Sequence, residues 1–363
     1  MKAKKWVLTF MFLVVAFLAS NIGVTSSSFY DQESSTGNSF HAWIEAITSI
    51  KYAISYSNYT GSAYIGSLAT VEIATNGQIN DTVIDTLEFD PVAATTPNMI
   101  PIVGDVYAIA YAGDREDGFL KTIEISSEGQ VTDVAIDTLE FDVSDGKDPN
   151  IIHISGNIYA IAYKGKGDDG FLITVEIATN GQINDTVIDT LEFDPVAATT
   201  PNMIPIVGDV YAIAYWGSGG DGFLSTVEID SNGLITDTVI DTLVFDPVMG
   251  YYPNIIHISG DIYAIAYAGI FEYGYLKTVE IATNGQINDT VIDTLEFDGS
   301  LGTTPNIIYV SGDVYAIAYT GSSTNGFLKT VGIATNGQIT DTVIDTLTFD
   351  SGTVEYPNII SIS

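Results

Sequence analysis

The chain has 363 residues, and its 46 acidic side chains against 11 lysines and arginines give a formal net charge of −35. Nucleic acid and anionic membrane surfaces are disfavoured as partners, because binding to both depends on cationic contacts with phosphate. The absence of cysteine excludes disulfide bonds, thiolate metal sites and a lipid-modified cysteine anchor.

The first 26 residues predict a secretory signal peptide or an N-terminal membrane anchor. Three lysines within the first five residues precede the apolar run Trp6 to Leu18. Cleavage after Ala19 or near residues 24–26 would release the chain, whereas an uncleaved segment would hold it in a membrane. Residues 27–42 are rich in serine and predict a linker. We therefore expect residues 43–363 to lie outside the cytoplasm, secreted or at the cell surface.

A repeat of 52 residues governs the rest of the chain. The run from Thr70 to Tyr111 returns unchanged as Thr174 to Tyr215. A fixed period near 50 indicates an array of one supersecondary unit. The dipeptide Pro-Asn marks the repeat, and its proline is Pro97, Pro149, Pro201, Pro253, Pro305 and Pro357.

Each repeat predicts four antiparallel strands, which we name A, B, C and D. Short apolar runs alternate with tight turns, and Asn284-Gly285 is a strong hairpin signal. No helical periodicity is sustained after the N-terminal segment. In the repeat that starts at Pro253, the predicted strands are A at 254–259, B at 262–268, C at 275–281 and D at 286–298.

Strands B and D have different surroundings. Strand B is apolar on both faces, with large residues such as Tyr263 alternating with small ones such as Ala264, so both faces must be covered. Strand D carries repeated acids, for example Asp85, Asp189 and Asp293, which we interpret as protection of an outer edge. Sheets covered on both faces with a polar outer strand predict the blades of an all-β propeller. A flat β-solenoid is the main rival, but its repeats are usually shorter.

The two ends of the chain predict six blades. The first repeat, at 51–90, has strands B, C and D but no Pro-Asn strand A, whereas residues 357–363 form one isolated strand A. The C-terminal strand can therefore complete the first blade and close a six-bladed β-propeller. If residues 43–49 supply a weak strand A instead, the alternatives are a seven-bladed ring or an open β-repeat array.

The repeat motif resembles that of secreted β-propeller repeat proteins from archaeal and bacterial genomes. The motif is PN-I-I-x-I-S-G-D-I-Y-A-I-A-Y followed by G-F-L-x-T-V-E-I-A-T-N-G-Q-I, and it covers nearly the whole chain after residue 43. The blades lack the Gly-His and Trp-Asp marks of WD40 repeats and the paired glycines of kelch repeats. The resemblance implies extracellular placement and a binding role, and nothing narrower.

Sequence variation among the copies concentrates on one predicted face. The A–B and C–D turns barely change, whereas the B–C loops and the D-to-A links differ from copy to copy. Variable loops on one face predict an interaction surface. The alternative is that loop tips drift freely, whereas glycine-dependent turns cannot. The most variable segments are 113–117, 164–168, 216–220, 269–273 and 321–325, with the links 91–96, 143–148, 247–252 and 299–304.

Five aromatic residues on this face are candidates for ligand binding: Trp216, Tyr251, Tyr252, Phe271 and Tyr273. They fall in two neighbouring repeats. An exposed aromatic cluster is a common platform for sugars or protein partners, so we expect a glycan or a protein to bind here.

Four aspartates of the B–C loops are candidates for Ca²⁺ binding, because carboxylate oxygens are ligands for this ion. They are Asp114, Asp117, Asp168 and Asp169. No Asp-x-Asp-x-Asp-Gly loop is present, and later copies carry Tyr273 or Asn325 at the last position. The competing interpretation is that these are solvated loop carboxylates and that the protein has no cofactor.

No convincing catalytic constellation is visible, and we expect a protein that is not an enzyme. The chain has three histidines, of which His41 lies in the linker. His153 and His257 share a strand-A position that holds proline or tyrosine in other copies, which favours packing over acid–base chemistry. We expect an extracellular binding scaffold. A structural surface component and an extracellular polysaccharide hydrolase or lyase are the alternatives.

Overall fold

The computed structural model describes residues 29–30, 41–42, 49–61, 63–74, 82–352, 354, 356–357 and 359. The predicted signal segment at 1–26 lies outside the described residues. Within the predicted linker, β1 (Phe29–Tyr30) pairs antiparallel with β2 (His41–Ala42). None of the helices in the described ranges is long and apolar enough to cross a membrane.

The repeats form six successive antiparallel sheets, and in blades 2 to 6 four strands follow in the spatial order A, B, C, D. Blade 1 has β3 (Ser49–Tyr59), β4 (Tyr64–Ala74) and β5 (Asp85–Asp90); blade 2 has β6 (Thr95–Val103), β7 (Val106–Ala112), β8 (Gly118–Glu124) and β9 (Asp137–Asp142); blade 3 has β10 (Lys147–Ser155), β11 (Ile158–Lys164), β12 (Gly170–Glu176) and β13 (Asp189–Asp194). Blade 4 has β14 (Thr199–Pro205), β15 (Val210–Trp216), β16 (Gly222–Glu228) and β17 (Asp241–Asp246); blade 5 has β18 (Tyr251–Ser259), β19 (Ile262–Ala268), β20 (Gly274–Glu280) and β21 (Asp293–Asp298); blade 6 has β22 (Thr303–Ser311), β23 (Val314–Thr320), β24 (Gly326–Gly332) and β25 (Asp345–Asp350).

Each B–C loop of blades 2 to 6 contains one short 3₁₀ turn. The turns are η1 (Asp114–Glu116), η2 (Lys166–Asp168), η3 (Ser218–Gly220), η4 (Ile270–Glu272) and η5 (Ser322–Thr324). The A strands of blades 2 to 6 contact one another and form the inner layer. The prediction of an all-β, six-bladed propeller with regular repeat spacing is confirmed.

Two strand boundaries differ from the sequence prediction. Strand D of blade 5 begins at Asp293 and not at Gln286, because Ile287 makes only an isolated bridge to Ile281 before the chain bends away. Strand A begins at Tyr251, three residues before its predicted start. An extra residue, accommodated as a β-bulge, lets the strand resume pairing beyond Pro253.

Apolar side chains fill the interface between neighbouring blades. Between blades 4 and 5, Leu243 and Phe245 of strand D pack in one cluster with Ile265 and Tyr267 of the next strand B, and none of the four is more than 9% exposed. The rings of Phe245 and Tyr267 meet edge to face, 5.1 Å between centroids. Burying such residues contributes about 1.5–3 kcal/mol each, so the interface is a main source of stability.

A buried tyrosine and an aspartate link each pair of blades at the end of strand D. The Tyr267 hydroxyl donates to Asp246 Oδ2 at 2.7 Å, and Lys277 Nζ donates to the same oxygen at 2.9 Å and to the Phe245 carbonyl at 2.7 Å. Burial alone would raise the pKa of Asp246, but these donors together lower it. Equivalent tyrosine–aspartate bonds of 2.5–3.0 Å are Tyr111–Asp90, Tyr163–Asp142, Tyr215–Asp194 and Tyr319–Asp298.

The first acid of strand D also bridges blades, which changes our interpretation of it as edge protection. Asp241 Oδ2 accepts the Ile287 N–H of the next blade at 2.9 Å. The same bond joins Asp85 to Val131, Asp189 to Ile235 and Asp293 to Ile339. These carboxylates therefore satisfy main-chain donors of a neighbouring sheet.

The asparagine of the Pro-Asn motif joins the inner strands. Asn254 Oδ1 accepts the Ile307 N–H of the next strand A at 3.0 Å. Among the described residues the bond recurs at five successive steps, and the last one joins Asn306 to the N–H of Ile359, also at 3.0 Å. Ile359 thus takes the next inner position, as the predicted C-terminal strand requires. Residues 358 and 360–363 of that strand lie outside the described residues.

The free face of blade 6 is less covered than the others. Leu347 is 56% exposed and Phe349 47%, whereas their counterparts Leu295 and Phe297 are 8% and 2% exposed. Ile54, on strand B of blade 1, is 50% exposed. The apolar packing and the tyrosine–aspartate bonds described above therefore belong to the five junctions between consecutive blades, from blade 1 to blade 6.

Replacing Asn254 by alanine should destabilise the fold, because the buried Ile307 N–H loses its acceptor. We expect the free energy of unfolding to fall by about 1–3 kcal/mol in urea titration. The matched control is Asn232→Ala, whose side chain bonds Asp230 within one exposed turn. Equal losses in the two variants would contradict the inter-blade role of the asparagine.

The stabilising effect of Asp298 should depend on pH. Burial opposes ionisation, but bonds from Lys329, Ser300 and Tyr319 lower the pKa of Asp298. A lowered folded pKa gives stability that is present above the unfolded value of about 3.9 and is lost as pH falls toward the folded value. We therefore expect the stability difference between wild type and Asp298→Asn to shrink in chemical unfolding from pH 6 to pH 2. The control Asp289→Asn, at an exposed carboxylate, should show no such dependence; a difference for Asp298→Asn that stays constant would contradict the assignment.

Candidate functional site

The structure places the B–C loops and the D-to-A links on one face of the propeller. The Gly146 N–H of a link donates to the Glu116 carbonyl of a B–C loop at 2.7 Å, and the bond from Gly302 to Glu272 repeats this contact. The A–B turns instead bond the residue that follows strand C, as the Asp261 carbonyl does with the Ile281 N–H at 2.8 Å. The variable segments therefore share one surface, which we call the loop face.

Six strained residues surround the axis on this face, one before each proline of the Pro-Asn motif. They lie at the strand-A bulge, where φ is 48–53° instead of the extended value expected before proline. Non-glycine residues rarely adopt this conformation, and such strain often marks functional sites. The six residues, which we call the mouth ring, are Thr96, Asp148, Thr200, Tyr252, Thr304 and Tyr356.

The mouth ring is narrow. The rings of Tyr252 and Tyr356 lie 6.1 Å apart between centroids, although two repeats separate them in sequence. Residues two blades apart can meet only near the axis, so the six positions converge at the mouth of the central channel.

At three places in the repeat that lie near the mouth, the residue changes from copy to copy: the two residues before the proline and the last residue of strand B. In three of the six copies the two residues before the proline are threonines, and the last residue of strand B in blades 2, 5 and 6 is alanine or threonine. Trp216 is the first residue after the duplicated run at which the two long copies differ, since Ala112 occupies its place. Among the described residues the departures from these common residues are Lys147, Asp148 and Lys164 in blade 3, Trp216 in blade 4, Tyr251 and Tyr252 in blade 5, and Tyr356 in the last copy.

The departures in blades 4 and 5 form an aromatic cluster. Trp216 and Tyr251 lie 4.0 Å apart between centroids at 31°, and Trp216 and Tyr252 lie 5.9 Å apart, edge to face. Tyr356, 64% exposed, extends the cluster through Tyr252 and was not among the residues predicted from sequence. A partly exposed group of this kind offers apolar ring faces beside hydroxyl groups.

Phe271 and Tyr273 form a separate pair on η4. Their centroids lie 5.7 Å apart, and Phe271 is 71% exposed. Among the ring contacts of the described residues, none joins this pair to the cluster at Trp216. Their role in ligand binding stays a prediction.

The departures in blade 3 form a charged group. Lys147 and Lys164 pair directly across strands A and B, which is an unfavourable placement for like charges. Lys147 Nζ contacts Glu116 at 2.5 Å and Asp145 at 3.1 Å, and Lys164 Nζ contacts Asp168 at 2.6 Å. These acids offset the repulsion between the two ammonium groups.

Asp148 follows Lys147 in the chain, and both lysines act on its carboxylate. The Thr200 N–H and the Thr96 hydroxyl also lie near enough to lower the pKa of Asp148. Burial nevertheless raises the pKa of Asp148, and it outweighs the opposing effects of Lys164, the Thr200 N–H and Lys147. The folded protein therefore holds this carboxylate at some cost in stability.

The four aspartates predicted for calcium lie in two B–C loops, two in each, and their role in metal binding stays a prediction. Asp168 is held by Lys164, and Asp114 lies 3.8 Å from the neighbouring Arg115. Asp114 and Asp117 belong to blade 2, whereas Asp168 and Asp169 belong to blade 3. The part of the chain that the structure describes contains no group of three or more acidic, histidine or cysteine side chains placed to hold a metal ion.

His153 and His257 lie on the opposite face, beside the A–B turns. Each ring packs on a strand-B tyrosine, 5.1 Å and 5.0 Å between centroids, and each Nε2 lies within 3.0 Å of the turn glycine carbonyl. A concavity beside His153 is lined by Pro101 and Tyr159. The side chain of His41 lies outside the described residues.

Comparison with known proteins identifies the fold only. No protein-family model and no curated protein matches the chain. Among solved structures, a putative 6-phosphogluconolactonase from Bacteroides uniformis is similar at TM-score 0.60 and 12% identity, covering 85% of each chain. The WD40 domain of Toxoplasma gondii coronin is similar at TM-score 0.54 and 13% identity, covering 84% of this chain and 77% of that one. Both are β-propellers, and identities this low say nothing about activity.

Replacing Trp216 by alanine should leave the fold intact, because Ala112 and Ala268 occupy the same position in other blades. We expect a loss of no more than about 1 kcal/mol, from the contact with Tyr251. The neighbouring Tyr215→Ala should cost about 3–5 kcal/mol, since Tyr215 is 1% exposed and links two blades. Urea unfolding of both variants tests this; a Trp216→Ala loss as large as that of Tyr215→Ala would make Trp216 a core residue.

Proposed function

We propose that the protein is an extracellular binding scaffold whose loop face binds a neutral carbohydrate at the channel mouth. The observation that carries the proposal is the cluster of Trp216, Tyr251, Tyr252 and Tyr356 on one side of the mouth ring. In a chain of closely similar repeats, two neighbouring blades exchange the small side chains found elsewhere for large aromatic ones. The fold alone is compatible with either binding or catalysis.

Sugar rings suit this surface physically. The C–H groups on one side of a pyranose form an apolar face that stacks on indole or phenol rings, and the hydroxyl groups at its edge need hydrogen-bond partners. Tyr251 and Tyr252 add phenol hydroxyls beside the indole of Trp216, so apolar and polar contacts are available together. The strained backbone of the mouth ring holds these side chains on a rigid inner strand, which limits the entropy lost on binding.

Charge and the N-terminal sequence support the same proposal. A chain with a net charge of −35 repels acidic polysaccharides, which leaves neutral ones as the favoured class. The apolar run after the N-terminal lysines supports export, where extracellular glycans are accessible.

The proposal can be tested with neutral hexasaccharides: cellohexaose, laminarihexaose, mannohexaose, maltohexaose and chitohexaose. We expect calorimetry to detect binding of at least one, and we expect Trp216→Ala and Tyr252→Thr to weaken it about tenfold or more, equivalent to about 1.4 kcal/mol. Both replacements use residues found at these positions in other blades, so the variants should fold.

Tyr309→Ala is the matched control, because Tyr309 is 54% exposed and lies on the opposite face, beside an A–B turn. Its affinity should equal that of the wild type. Absence of binding to all five sugars, or an equal loss in Tyr309→Ala, would count against the proposed site.

A further inference from the structure

The charged residues of blade 3 are not required for the fold, because other blades form the same structure with different residues at these positions. Blades 2 and 4 carry Thr95 and Thr199 where blade 3 carries Lys147, and they fold with the same strand A. At the ring position of Asp148 the three threonine-bearing copies keep the same left-handed backbone. The scaffold therefore forms without this lysine and this aspartate.

The other cations of the described ranges have evident structural roles. Lys121, Lys277 and Lys329 bind the carboxylates at the blade junctions, and Lys51 pairs with Glu72. The remaining four all lie on the loop face of blades 2 and 3. They are Arg115, Lys147, Lys164 and Lys166.

An unsatisfied hydroxyl lies beside the charged group. Thr200 Oγ1 is fully buried and has no hydrogen-bond partner, and the main-chain N–H of the same residue lies near enough to Asp148 to lower its pKa. A buried hydroxyl without a partner costs about 1–3 kcal/mol, and such a group calls for a specific explanation. A ligand group bound next to Asp148 would supply one once the Thr200 side chain rotates and brings its hydroxyl to the surface.

We infer that Asp148, Lys164 and Thr200 form a polar subsite that binds adjacent hydroxyl groups of the sugar whose ring lies on the aromatic side. This inference rests on the proposed function. A sugar hydroxyl both donates and accepts, so a carboxylate acceptor, an ammonium donor and an alcohol together satisfy a pair of them. Trp216 pairs across strands with Thr199, the residue before Thr200, so one ligand can touch the aromatic and the polar groups together.

The charges around the subsite favour a neutral group over an ion. Lys147 and Lys164 both act on Asp148 and would repel a cation placed there. The surrounding carboxylates Glu116, Asp145 and Asp168 offset the lysines and would repel an anion. A polar but uncharged group is repelled neither by the lysines nor by the carboxylates.

The test uses three replacements and the hexasaccharide that the wild type binds most tightly. Asp148→Thr and Lys164→Ala restore residues that other blades carry, and Thr200→Val removes only the hydroxyl. We expect each to weaken binding about tenfold by calorimetry. The midpoint of urea unfolding of Asp148→Thr should equal or exceed that of the wild type, because the variant removes a desolvated carboxylate. Asp289→Asn, at an exposed carboxylate next to a C–D turn and away from the mouth ring, is the control and should bind normally.

Three outcomes would overturn the inference. If Trp216→Ala loses binding while Asp148→Thr and Thr200→Val bind as the wild type does, the polar subsite is wrong and the proposed function stands. If Asp148→Thr is both less stable and weaker in binding while Thr200→Val is unaffected, Asp148 is a structural residue. If no hexasaccharide binds to the wild type, the proposed function fails and the subsite fails with it.

Discussion

The propeller depends on one constraint: each blade is apolar on both faces and cannot be stable without neighbours. Strand B carries large residues such as Ile265 on one face and alanines such as Ala264 on the other, and both kinds are fully buried. Where strand D ends, the Tyr267 hydroxyl and the carboxylate of Asp246 close the apolar interface with a charge-assisted hydrogen bond. The same pairing recurs at five junctions, so the register between blades is fixed by chemistry that is repeated rather than unique.

This redundancy leaves the loop face free to vary. The residues that link blades are shared by the copies, whereas the mouth positions contribute little to the interfaces and differ between blades. A bulge before the Pro-Asn motif of blades 2 to 6 places one strained residue near the axis whatever its side chain, since threonine, aspartate and tyrosine all adopt φ near 50° there. The backbone thus supplies six equivalent positions around the mouth. Their side chains differ, since Asp148 makes one side charged whereas Tyr252 and Tyr356 make another side aromatic.

Much of the fold follows from the sequence, and the tertiary pairings do not. The 52-residue period, the four strands and the six blades were predictable from Pro-Asn and the alternation of large and small residues. That Asp246 meets Tyr267 was not, because every repeat contains both types and spacing alone does not say which blades they join. The acids that begin strand D, such as Asp241, were interpreted as edge protection because the spacing of the repeats does not show that they bond to the next blade.

The candidate site was predictable in part. Trp216, Tyr251 and Tyr252 could be selected as aromatic residues in variable loops, and the structure brings their rings together. Asp148 and Lys147 were missed because acids and lysines are unremarkable in loops. A position-by-position comparison of the six copies would have found them as departures from Thr-Thr. Tyr356 was missed because it lies where the repeats end.

The central claim is that the departures at the mouth bind carbohydrate on a scaffold that does not need them. A variant returned to the common residues at all seven departures (K147T, D148T, K164A, W216A, Y251T, Y252T and Y356T) tests it most directly. Urea unfolding and hexasaccharide calorimetry would be measured on the same preparation. The account predicts a cooperative unfolding transition whose free energy lies within about 1 kcal/mol of the wild-type value, with no detectable binding. A folded variant that still binds as the wild type does, or one that fails to fold, would contradict it.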